Sequence, residues 1–343
     1  MTPLSATARS ATPWRTMDQG LTALTGAGGF LGSALVQLAR RSGHRIRAIR
    51  RSVPPGPPDR ENPQADLLDL EALQRAFEGA TTVIHAAGLA HVFRAGSRPS
   101  RDFHTVNVLG TRNVMTAAFR CSVRHVVLIS SVSVYGGATR GPRDETCPCA
   151  PEGPYAASKL ESERTAIEAA QGAGIRLTIL RMATLYGSGD PGNVARLIRL
   201  IDRSRFVWIG SGSNRKSLVH KEDAARACFA SVIAPGPDVE LFNVSSLPVT
   251  MREIVETIGK ALGRKLPDWE IPAQAVLGLL TTLESLTRRG APLDRVRSTL
   301  LKWTSDDSYG ADKIQDKLGF RAEIELSEGI AEEVRGYRPE ARE

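Results

Sequence analysis

The sequence predicts an α/β fold built on a doubly wound parallel sheet, with a smaller substrate-binding lobe in its C-terminal part. Two observations lead to this prediction. Short apolar segments alternate with segments of helical periodicity through the first half of the chain, and a glycine-rich turn, TGAGGFLG at 25–32, joins the first strand to the first helix. Beyond about residue 185, glycines, prolines and shorter helices replace the alternation. A sheet with such a turn at its first strand–helix junction is a Rossmann fold.

The individual elements follow from the same pattern. Strands are predicted where apolar residues run together, at 21–25, 45–49, 82–85, 126–130 and 176–180. Helices are predicted where apolar residues recur every three or four positions, at 30–41, 70–78, 105–119 and 155–170. Because the carboxyl ends of parallel strands meet at one edge of a sheet, the residues directly after these strands should line a single crevice.

Three parts of the chain are expected on this basis. Residues 1–17 contain Arg9 and Arg15 but no acidic residue, and we expect a disordered tail or a segment upstream of the true start. Residues 18–185 should form an NAD(P)-binding Rossmann domain. Residues 186–343 should form mainly the substrate-binding lobe, with some segments returning to the Rossmann core.

Composition narrows the classes of partner. The chain of 343 residues carries a net charge of +8, but its basic residues are scattered and lack interleaved aromatic residues, which favours anionic small molecules over nucleic acid. No apolar run reaches the roughly 18–20 residues of a membrane span. The four cysteines lack metal-binding spacing, so we expect free thiols in a cytoplasmic protein and no metal site.

The glycine turn predicts a dinucleotide site. Gly26 permits the tight turn, Gly29 lets the backbone approach a pyrophosphate, and Gly32 allows close packing of helix and strand. Phe30 and Leu31 open the helix, whose N-terminal N–H groups and dipole favour an anion. The position of this motif at the first strand–helix junction makes the prediction specific.

The end of the second strand indicates which dinucleotide binds. NAD-selective sites place an acid there for the ribose 2′-hydroxyl, whereas this chain has Arg50 and Arg51, which can bind a 2′-phosphate. We therefore predict NADP, with NAD as the alternative if these arginines form a solvated strand end. Asp66 and Leu67 fit an adenine pocket, as a carboxylate acceptor beside an apolar wall.

Tyr155 and Lys159 in YAASK point to proton transfer. Residues four apart share one face of a helix, so the Lys159 ammonium should lie beside the Tyr155 hydroxyl and lower its pKa. A phenol with a lowered pKa can act as a general acid or base on a hydroxyl or carbonyl group.

These motifs, taken with four others, resemble the extended short-chain dehydrogenase/reductases, the NAD(P)-dependent epimerase/dehydratase family. The further motifs are HAAG (85–88), NVLGT (107–111), SSVSVYG (130–136) and LGFRAEIELSEGI (318–330). The resemblance implies that Tyr155 is the acid/base, that Ser131 hydrogen-bonds the reacting oxygen, and that Lys159 binds the nicotinamide ribose. It also implies that Asn107 buttresses a cofactor-side helix and that the backbone at Ala86 and Ala87 lines the cofactor. The helices with Asn107 and Tyr155 would form a homodimer interface.

Within that family, the segments around 191–193 and 213–220 look like nucleotide-sugar 4-epimerases and 4-keto-reductases. The resemblance makes Asn193 a substrate residue and assigns the diphosphate contact to Lys216, where the family usually has arginine, or to the adjacent Arg215. Arg181, which directly follows a predicted strand, is expected in the same crevice. Tyr135, which precedes a glycine, is expected there too, with a place in the core as the alternative. The family's dehydratases carry an acid pair where this chain has Val132 and Ser133, which disfavours dehydration.

Two alternatives to a nucleotide-sugar epimerase or reductase remain open. The apolar segment 273–286 would fit a 3β-hydroxysteroid dehydrogenase-like or other lipid-alcohol enzyme, although Arg181, Arg215 and Lys216 favour a phosphate-bearing substrate. A catalytically silent NADP-sensing protein is the other alternative, but such a protein would have no need of Tyr155 and Lys159 together.

Overall fold

The computed structural model describes residues 20–52, 62–90, 100–137, 141–287, 297, 300, 301 and 303–337, with the side chains of 283–287 excepted. The predicted N-terminal segment 1–17 lies outside the described residues.

The described strands and helices are numbered in chain order. The strands are β1 Leu21–Thr25, β2 Ile46–Ile49, β3 Ala80–His85, β4 His125–Ser131, β5 Arg176–Met182, β6 Thr184–Tyr186, β7 Trp208–Ile209, β8 Arg215–Lys216, β9 Leu218–His220, β10 Val239–Val244, β11 Val249–Thr250 and β12 Glu270–Ile271. The helices are α1 Phe30–Ser42, α2 Leu70–Phe77, α3 Ser100–Phe103, α4 Gly110–Arg120, α5 Gly153–Ala173, α6 Asn193–Asp202, α7 Lys221–Ile233, α8 Met251–Leu262, α9 Ala273–Thr287, α10 Asp312–Leu318 and α11 Leu326–Tyr337. A π-helix, His104–Leu109, joins α3 to α4, and a 3₁₀ turn, Val132–Tyr135, follows β4.

Six parallel strands form the central sheet in the order β10-β5-β4-β3-β1-β2. The chain moves outward from β1 to β2 and then returns to place β3 on the other side of β1. Ligands bind at such a switch point, beyond the carboxyl ends of the strands. The predicted α/β fold with a doubly wound parallel sheet is therefore confirmed.

Alternating residues along the strands build one apolar layer on each face of the sheet. One layer joins the sheet to α1 and α7, and the other joins it to α2, α4 and α5. The strand residues of the first layer include Leu24, Ile84, Val127 and Leu180, and those of the second include Ala23, Val83, Val126 and Ile179. Each fully buried branched side chain contributes roughly 1.5–3 kcal/mol, so the two layers hold the strand ends of the crevice in place.

A separate apolar cluster forms the lobe. It joins α6, α8 and α11 and includes Tyr186, Phe206 and Trp208. Three two-stranded sheets, β6 with β9, β7 with β12 and β8 with β11, connect these helices. Within the described residues, no helix combines the length and the apolar composition that a membrane span requires.

The predicted helix at 105–119 differs in its first half. Residues His104–Leu109 adopt a π-helix, and regular α-helix begins only at Gly110. Short π-helical turns are frequent at functional sites because they re-aim side chains. Asn107 lies in this turn.

Candidate active site

The turn between β1 and α1 is shaped by its glycines. Gly26 has φ of +76°, and a Cβ there would lie 2.6 Å from the backbone nitrogen of Ala87. A Cβ on Gly32 would collide with the carbonyl oxygen of Gly26, so α1 packs directly onto the turn. Only glycine allows this close approach of backbone segments.

The first turn of α1 is suited to an anion. The helix begins after Gly29 with no side-chain cap and no acidic residue in its first turn. The N–H groups at its start, including those of Phe30 and Leu31, therefore face the turn without a side-chain partner from the cap. With the positive end of the helix dipole, this cradle fits the pyrophosphate of NAD(P).

Arg50 lies against the same turn. Its Cδ is 3.8 Å from the position that a Cβ on Gly28 would take, so the side chain crosses the glycine turn. Arg51 is exposed. Of the two predicted arginines, Arg50 is therefore the better placed beside a ribose at the end of β2.

Asp66 and Leu67 lie between the end of β2 and α4. Asp66 accepts a hydrogen bond from the backbone of Leu68 at 2.9 Å. Leu67 is buried against Gly110, and its carbonyl accepts a bond from Asn113 at 2.9 Å. Asp66 is exposed next to the buried Leu67, and the adenine pocket stays a prediction.

The backbone after β3 is tied to the end of β1. Thr25 accepts from Ala86 N through its carbonyl and from Ala87 N through its hydroxyl, both at 3.3 Å. The Thr25 hydroxyl also pairs with His85 Nδ1 at 2.8 Å, and His85 Nε2 pairs with Thr111 at 3.2 Å. Ala86 and Ala87 thus form a fixed shelf beside the glycine turn.

His85 was not singled out from the sequence, although it ends a buried strand. Burial, followed by the charge of Lys159, lowers its pKa to about 3. A neutral imidazole can accept one hydrogen bond and donate another, so it bridges two threonine hydroxyls without a buried charge. The available sequence signal is a histidine flanked by apolar strand residues and followed by AAG.

Asn107 links the cofactor-side loop to α5. Its side-chain oxygen accepts from Leu89 N at 2.7 Å, and its nitrogen donates to Leu89 O at 3.1 Å and to Ser158 Oγ at 2.9 Å. A Cβ on Gly88 would lie 3.0 Å from that oxygen. These bonds use the acceptor and donor groups of the amide to position the loop after Ala87.

Ser131, Tyr155 and Lys159 come together beside this shelf. Ser131 ends β4, and its side chain is hydrogen-bonded to Tyr155 in the first turn of α5. Lys159 Nζ donates to Ile129 O at 2.7 Å and lies 3.9 Å from the position of a Cβ on Gly88. The structure therefore brings the three predicted catalytic residues to the edge of the cofactor crevice.

The pKa shifts differ from the sequence hypothesis in one respect. Burial raises the pKa of Tyr155, and the hydrogen bond with Ser131 is the effect that lowers it. The Lys159 ammonium, which the sequence hypothesis places beside the phenol, donates to the Ile129 carbonyl. Burial lowers the pKa of Lys159 to about 8, against the negative charge of Glu163.

Glu163, which the sequence analysis does not identify, forms a buried ion pair with Arg181. Arg181 donates to Glu163 through Nε at 3.0 Å and Nη2 at 2.7 Å, and Ser130 Oγ donates to Glu163 at 2.5 Å. Both charged side chains are almost fully buried, at 6% and 2% exposure. The signal for Glu163 was its position four residues after Lys159, on the same face of α5.

Tyr135 lies in the same buried network. Its ring is 4.7 Å from the guanidinium carbon of Arg181, and its hydroxyl donates to Asn243 at 2.8 Å. Substrate contact by Tyr135 and Arg181 stays a prediction, since both make internal contacts behind Ser131.

Of the predicted phosphate-contact residues, Lys216 faces a cavity and Arg215 does not line it. Lys216 and Asn193 line a cavity of about 70 Å³ together with Thr184, and Lys216 Nζ donates to Ser305 O at 2.8 Å. Arg215 is exposed and donates to Pro248 O at 2.9 Å. Across the described ranges, no three His, Cys, Asp or Glu residues are grouped to hold a metal ion.

Comparisons with known proteins bear on this geometry. Residues 22–245 match the model of the NAD dependent epimerase/dehydratase family. The chain is 29% identical over 315 residues to N-acetyl-alpha-D-glucosaminyl-diphospho-ditrans,octacis-undecaprenol 4-epimerase of Escherichia coli O157:H7, covering 90% of this chain and 92% of that protein. It is 29% identical over 328 residues to 2-alkyl-3-oxoalkanoate reductase of Stenotrophomonas maltophilia, covering 90% and 96%.

Solved structures share the architecture. MoeE5 in complex with UDP-glucuronic acid and NAD superposes with a TM-score of 0.73 at 28% identity, covering 93% of this chain and 99% of that one. The family match begins in β1 and ends just after β10, and it includes the glycine turn, Ser131, Tyr155 and Lys159. The chain therefore belongs to the NAD-dependent epimerase/dehydratase family.

Proposed function

We propose that this protein oxidises a hydroxyl carbon or reduces a keto carbon in the sugar of a glycosyl diphosphate, with Tyr155 removing or supplying the hydroxyl proton. The observation that carries the proposal is the contact of Ser131 with Tyr155 at the end of β4, directly beside the shelf of Ala86 and Ala87. A substrate carbon placed there would lie between the proton-transfer group and the cofactor crevice.

Each of the three catalytic residues would have a separate role. Ser131 would hydrogen-bond the substrate oxygen, and Tyr155 would remove or return its proton. Lys159, held between Ile129 O and the Gly88 loop, would bind the nicotinamide ribose and supply positive charge when the phenolate forms. The bound nicotinamide supplies the hydride chemistry at the same carbon.

The glycosyl diphosphate assignment is supported by two kinds of relative. MoeE5 is described in complex with UDP-glucuronic acid, and the Escherichia coli relative is named for a glucosaminyl diphospho-undecaprenol. Both ligands carry a sugar on a diphosphate. Lys216 and Asn193, which line the same small cavity, are suited to bind that diphosphate. Glycosyl diphosphates as a class include the nucleotide sugars predicted from the sequence.

We propose NADP over NAD, and reduction over epimerisation. Arg50 supports the first choice because it follows β2 and its side chain lies against the glycine turn, beside the position that a 2′-phosphate would take. NADPH commonly serves reductions, which supports the second. Product analysis separates the reactions, since reduction oxidises one NADPH per product and epimerisation leaves the cofactor unchanged overall.

Substituting Tyr155→Phe tests the proton-transfer role. The variant should keep NADPH affinity within about twofold and lose roughly 10²–10⁴-fold in kcat, the usual contribution of a general acid or base. Binding is measured by titration of NADPH fluorescence, and turnover by absorbance with a panel of glycosyl diphosphates. Tyr337→Phe is the matched control, because Tyr337 also donates a hydrogen bond, to Asp202 at 3.1 Å, but lies in the lobe.

Full turnover by Tyr155→Phe would contradict the mechanism. A wild-type protein that binds NADPH but turns over no member of the panel would instead support the silent NADP-sensing alternative.

A lipid-alcohol oxidoreductase is the second candidate function. An apolar cavity of about 410 Å³ in the lobe favours it, and one relative is named as an alkyl-oxoalkanoate reductase. NADPH-dependent turnover of a 2-alkyl-3-oxoalkanoate, with none of any glycosyl diphosphate, would select this function.

We also propose a homodimer through α4 and α5, in keeping with the family resemblance. Phe119, a large apolar side chain on α4, is 59% exposed in the single chain. Light scattering should give twice the 37.0 kDa chain mass, and Phe119→Glu should reduce it to one chain mass.

A further inference from the structure

Besides the cavity that contains Lys216, the lobe contains a larger cavity that is lined mainly by apolar side chains. This cavity, which we term the lobe cavity, measures about 410 Å³ and lies among α6, β7, α9 and the residues before β8. Most of its lining is apolar or aromatic. The principal side chains are Leu200, Phe206, Trp208, Val276, Leu300 and Trp303.

The polar side chains that line the lobe cavity are few. Asn214 donates both amide hydrogens to backbone, to Trp303 O at 2.9 Å and to Ser305 O at 3.0 Å. Arg196 and Arg205 are exposed, so their charges lie at the rim and not on the floor. The lobe cavity is therefore an apolar floor with a cationic rim.

The lobe cavity adjoins the cavity that contains Lys216. The two share Met251 and Trp303 in their linings, and the Lys216 cavity also includes Thr184. Thr184 lies two residues beyond Met182, the β5 partner of Ser131. From the reacting hydroxyl outward, a ligand would therefore meet Ser131 first, then Lys216, and then the apolar floor.

Exposed apolar side chains lie on or next to the segments that line the lobe cavity. Val207 lines it and is 38% exposed, Leu301 follows the lining residue Leu300 and is 42% exposed, and Leu279 on α9 is 60% exposed. A ligand longer than the lobe cavity could therefore continue along an apolar surface and avoid immediate contact with water.

We infer that the lobe cavity binds the apolar chain of a lipid-linked glycosyl diphosphate, with the diphosphate at Lys216 and the sugar at Ser131. This inference rests on the proposed function and specifies the carrier of its substrate. The order of sites, polar then cationic then apolar, matches the order of groups along such a molecule.

A nucleoside fits the lobe cavity less well. The polar edge of a base needs hydrogen-bond partners when it is buried, whereas both Asn214 amide hydrogens are already donated to backbone. One face of the Trp208 ring is covered by Arg252, 4.5 Å from its centroid, and Phe206 meets Trp208 edge to face. These two contacts leave less of the Trp208 ring for a base to stack on. An alkyl chain does not need a free ring face, because it is bound through apolar contact area alone.

Binding of farnesyl diphosphate by the full chain tests the inference without requiring catalysis. Calorimetric titration should show farnesyl diphosphate binding at least tenfold more tightly than inorganic pyrophosphate or UDP. Val276→Glu places a carboxylate in the lobe cavity and should remove that advantage. Ala275→Glu is the matched control, because Ala275 is an exposed apolar neighbour on the same helix, and its effect should stay within about twofold.

Retention of NADPH affinity shows that each variant is folded. Val207→Glu, at the partly exposed rim, provides a second variant. It should weaken the binding of farnesyl diphosphate by tenfold or more and leave the affinity for pyrophosphate unchanged. Tighter binding of UDP than of farnesyl diphosphate, or equal losses in Val276→Glu and Ala275→Glu, would overturn the inference. Turnover of a UDP-sugar without farnesyl diphosphate binding would overturn it and leave the proposed function intact. Farnesyl diphosphate binding with no redox turnover of any glycosyl diphosphate would contradict the proposed function and the placement of a sugar at Ser131, and would leave only the lipid-binding cavity.

Discussion

The sheet domain and the lobe each bury a glutamate, but they accommodate it differently. Glu163 in α5 is paired with Arg181 at 2.7 Å and also accepts from Ser130. Glu333 in α11 is buried and accepts from the backbone of Gly187 at 3.0 Å. Burial, followed by the negative charge of Asp190, raises the pKa of Glu333 to about 8. One buried acid thus lies against a cation, whereas burial favours the neutral form of the other.

The difference follows from what lies next to each acid. Glu163 is one helical turn from Lys159, and its charge raises the pKa of that ammonium against the effect of burial. A neutral acid there would leave Lys159 with less positive charge beside Tyr155. Glu333 has no catalytic lysine on its helix face. It joins α11 to the turn after β6 by accepting a hydrogen bond from Gly187.

Glu163→Gln should produce the largest loss of stability. It leaves the buried guanidinium of Arg181 without a compensating charge, and breaking one partner of such a pair costs about 3–5 kcal/mol. Urea unfolding followed by circular dichroism measures this loss. Glu222→Gln is the control, since Glu222 pairs with Arg41 at 3.1 Å on the surface, where the expected cost is about 0–1 kcal/mol.

The same variant should change the pH profile. Removing the Glu163 charge lowers the pKa of Lys159 further, so activity that needs the Lys159 ammonium should fall at a lower pH than in the wild type. Equal stability losses in the two glutamine variants, with an unchanged profile, would show that Glu163 and Arg181 are not a functional ion pair.

The contrast also shows which parts of the molecule were predictable from sequence. The glycine turn and the strand ends depend on local periodicity, and the structure forms them at the predicted positions. The Tyr155–Lys159 spacing places both residues on α5, but the Lys159 ammonium donates to the Ile129 carbonyl. Arg181 was expected at the substrate because it ends a strand, but its guanidinium binds Glu163 from a different element. A strand-end arginine looks the same in sequence whether its partner is a ligand or a buried carboxylate.

The lobe was harder to predict for a related reason. Its apolar cavity combines α6, β7, α9 and the region around Trp303, which are separated by up to about a hundred residues. Each contributes only one or two side chains, so no single segment carries a recognisable pattern. The apolar stretch at 273–286 was visible in the sequence, but the surface it lines was not.

Glu333→Gln should sharpen the contrast through its pH dependence. The folded-state pKa of about 8 exceeds the ordinary value of 4.5, so the folded protein binds this proton more tightly than the unfolded chain. Wild-type stability should therefore fall as pH rises from about 4.5 to 8, by at most about 1.4 kcal/mol per unit from this group. The amide cannot ionise and still accepts from Gly187, so the variant should lose this slope and be more stable than the wild type at pH 8.

Urea midpoints at pH 5.5, 6.5, 7.5 and 8.5 provide the measurement. The difference between wild type and variant reports Glu333 together with its interaction with Asp190, the neighbouring carboxyl that also raises the pKa of Glu333. Glu328→Gln, at an exposed position on the same helix, should keep the wild-type slope. A slope that persists in Glu333→Gln would mean that Glu333 is ionised in the folded state.

Arg50→Ala should have the smallest effect on the fold and a selective effect on cofactor binding. Unlike Arg181, Arg50 lies at the open crevice across Gly28, so its removal should change stability by less than about 0.5 kcal/mol. A charge-assisted bond to a 2′-phosphate contributes about 1.5–3 kcal/mol, which corresponds to roughly 10- to 100-fold in the Kd for NADPH. The Kd for NADH, which lacks that phosphate, should stay within about twofold. Fluorescence titration measures the Kd of each cofactor, and Arg51→Ala is the neighbouring control. If the site selects NAD, Arg50→Ala should change the Kd for NADPH no more than the Kd for NADH.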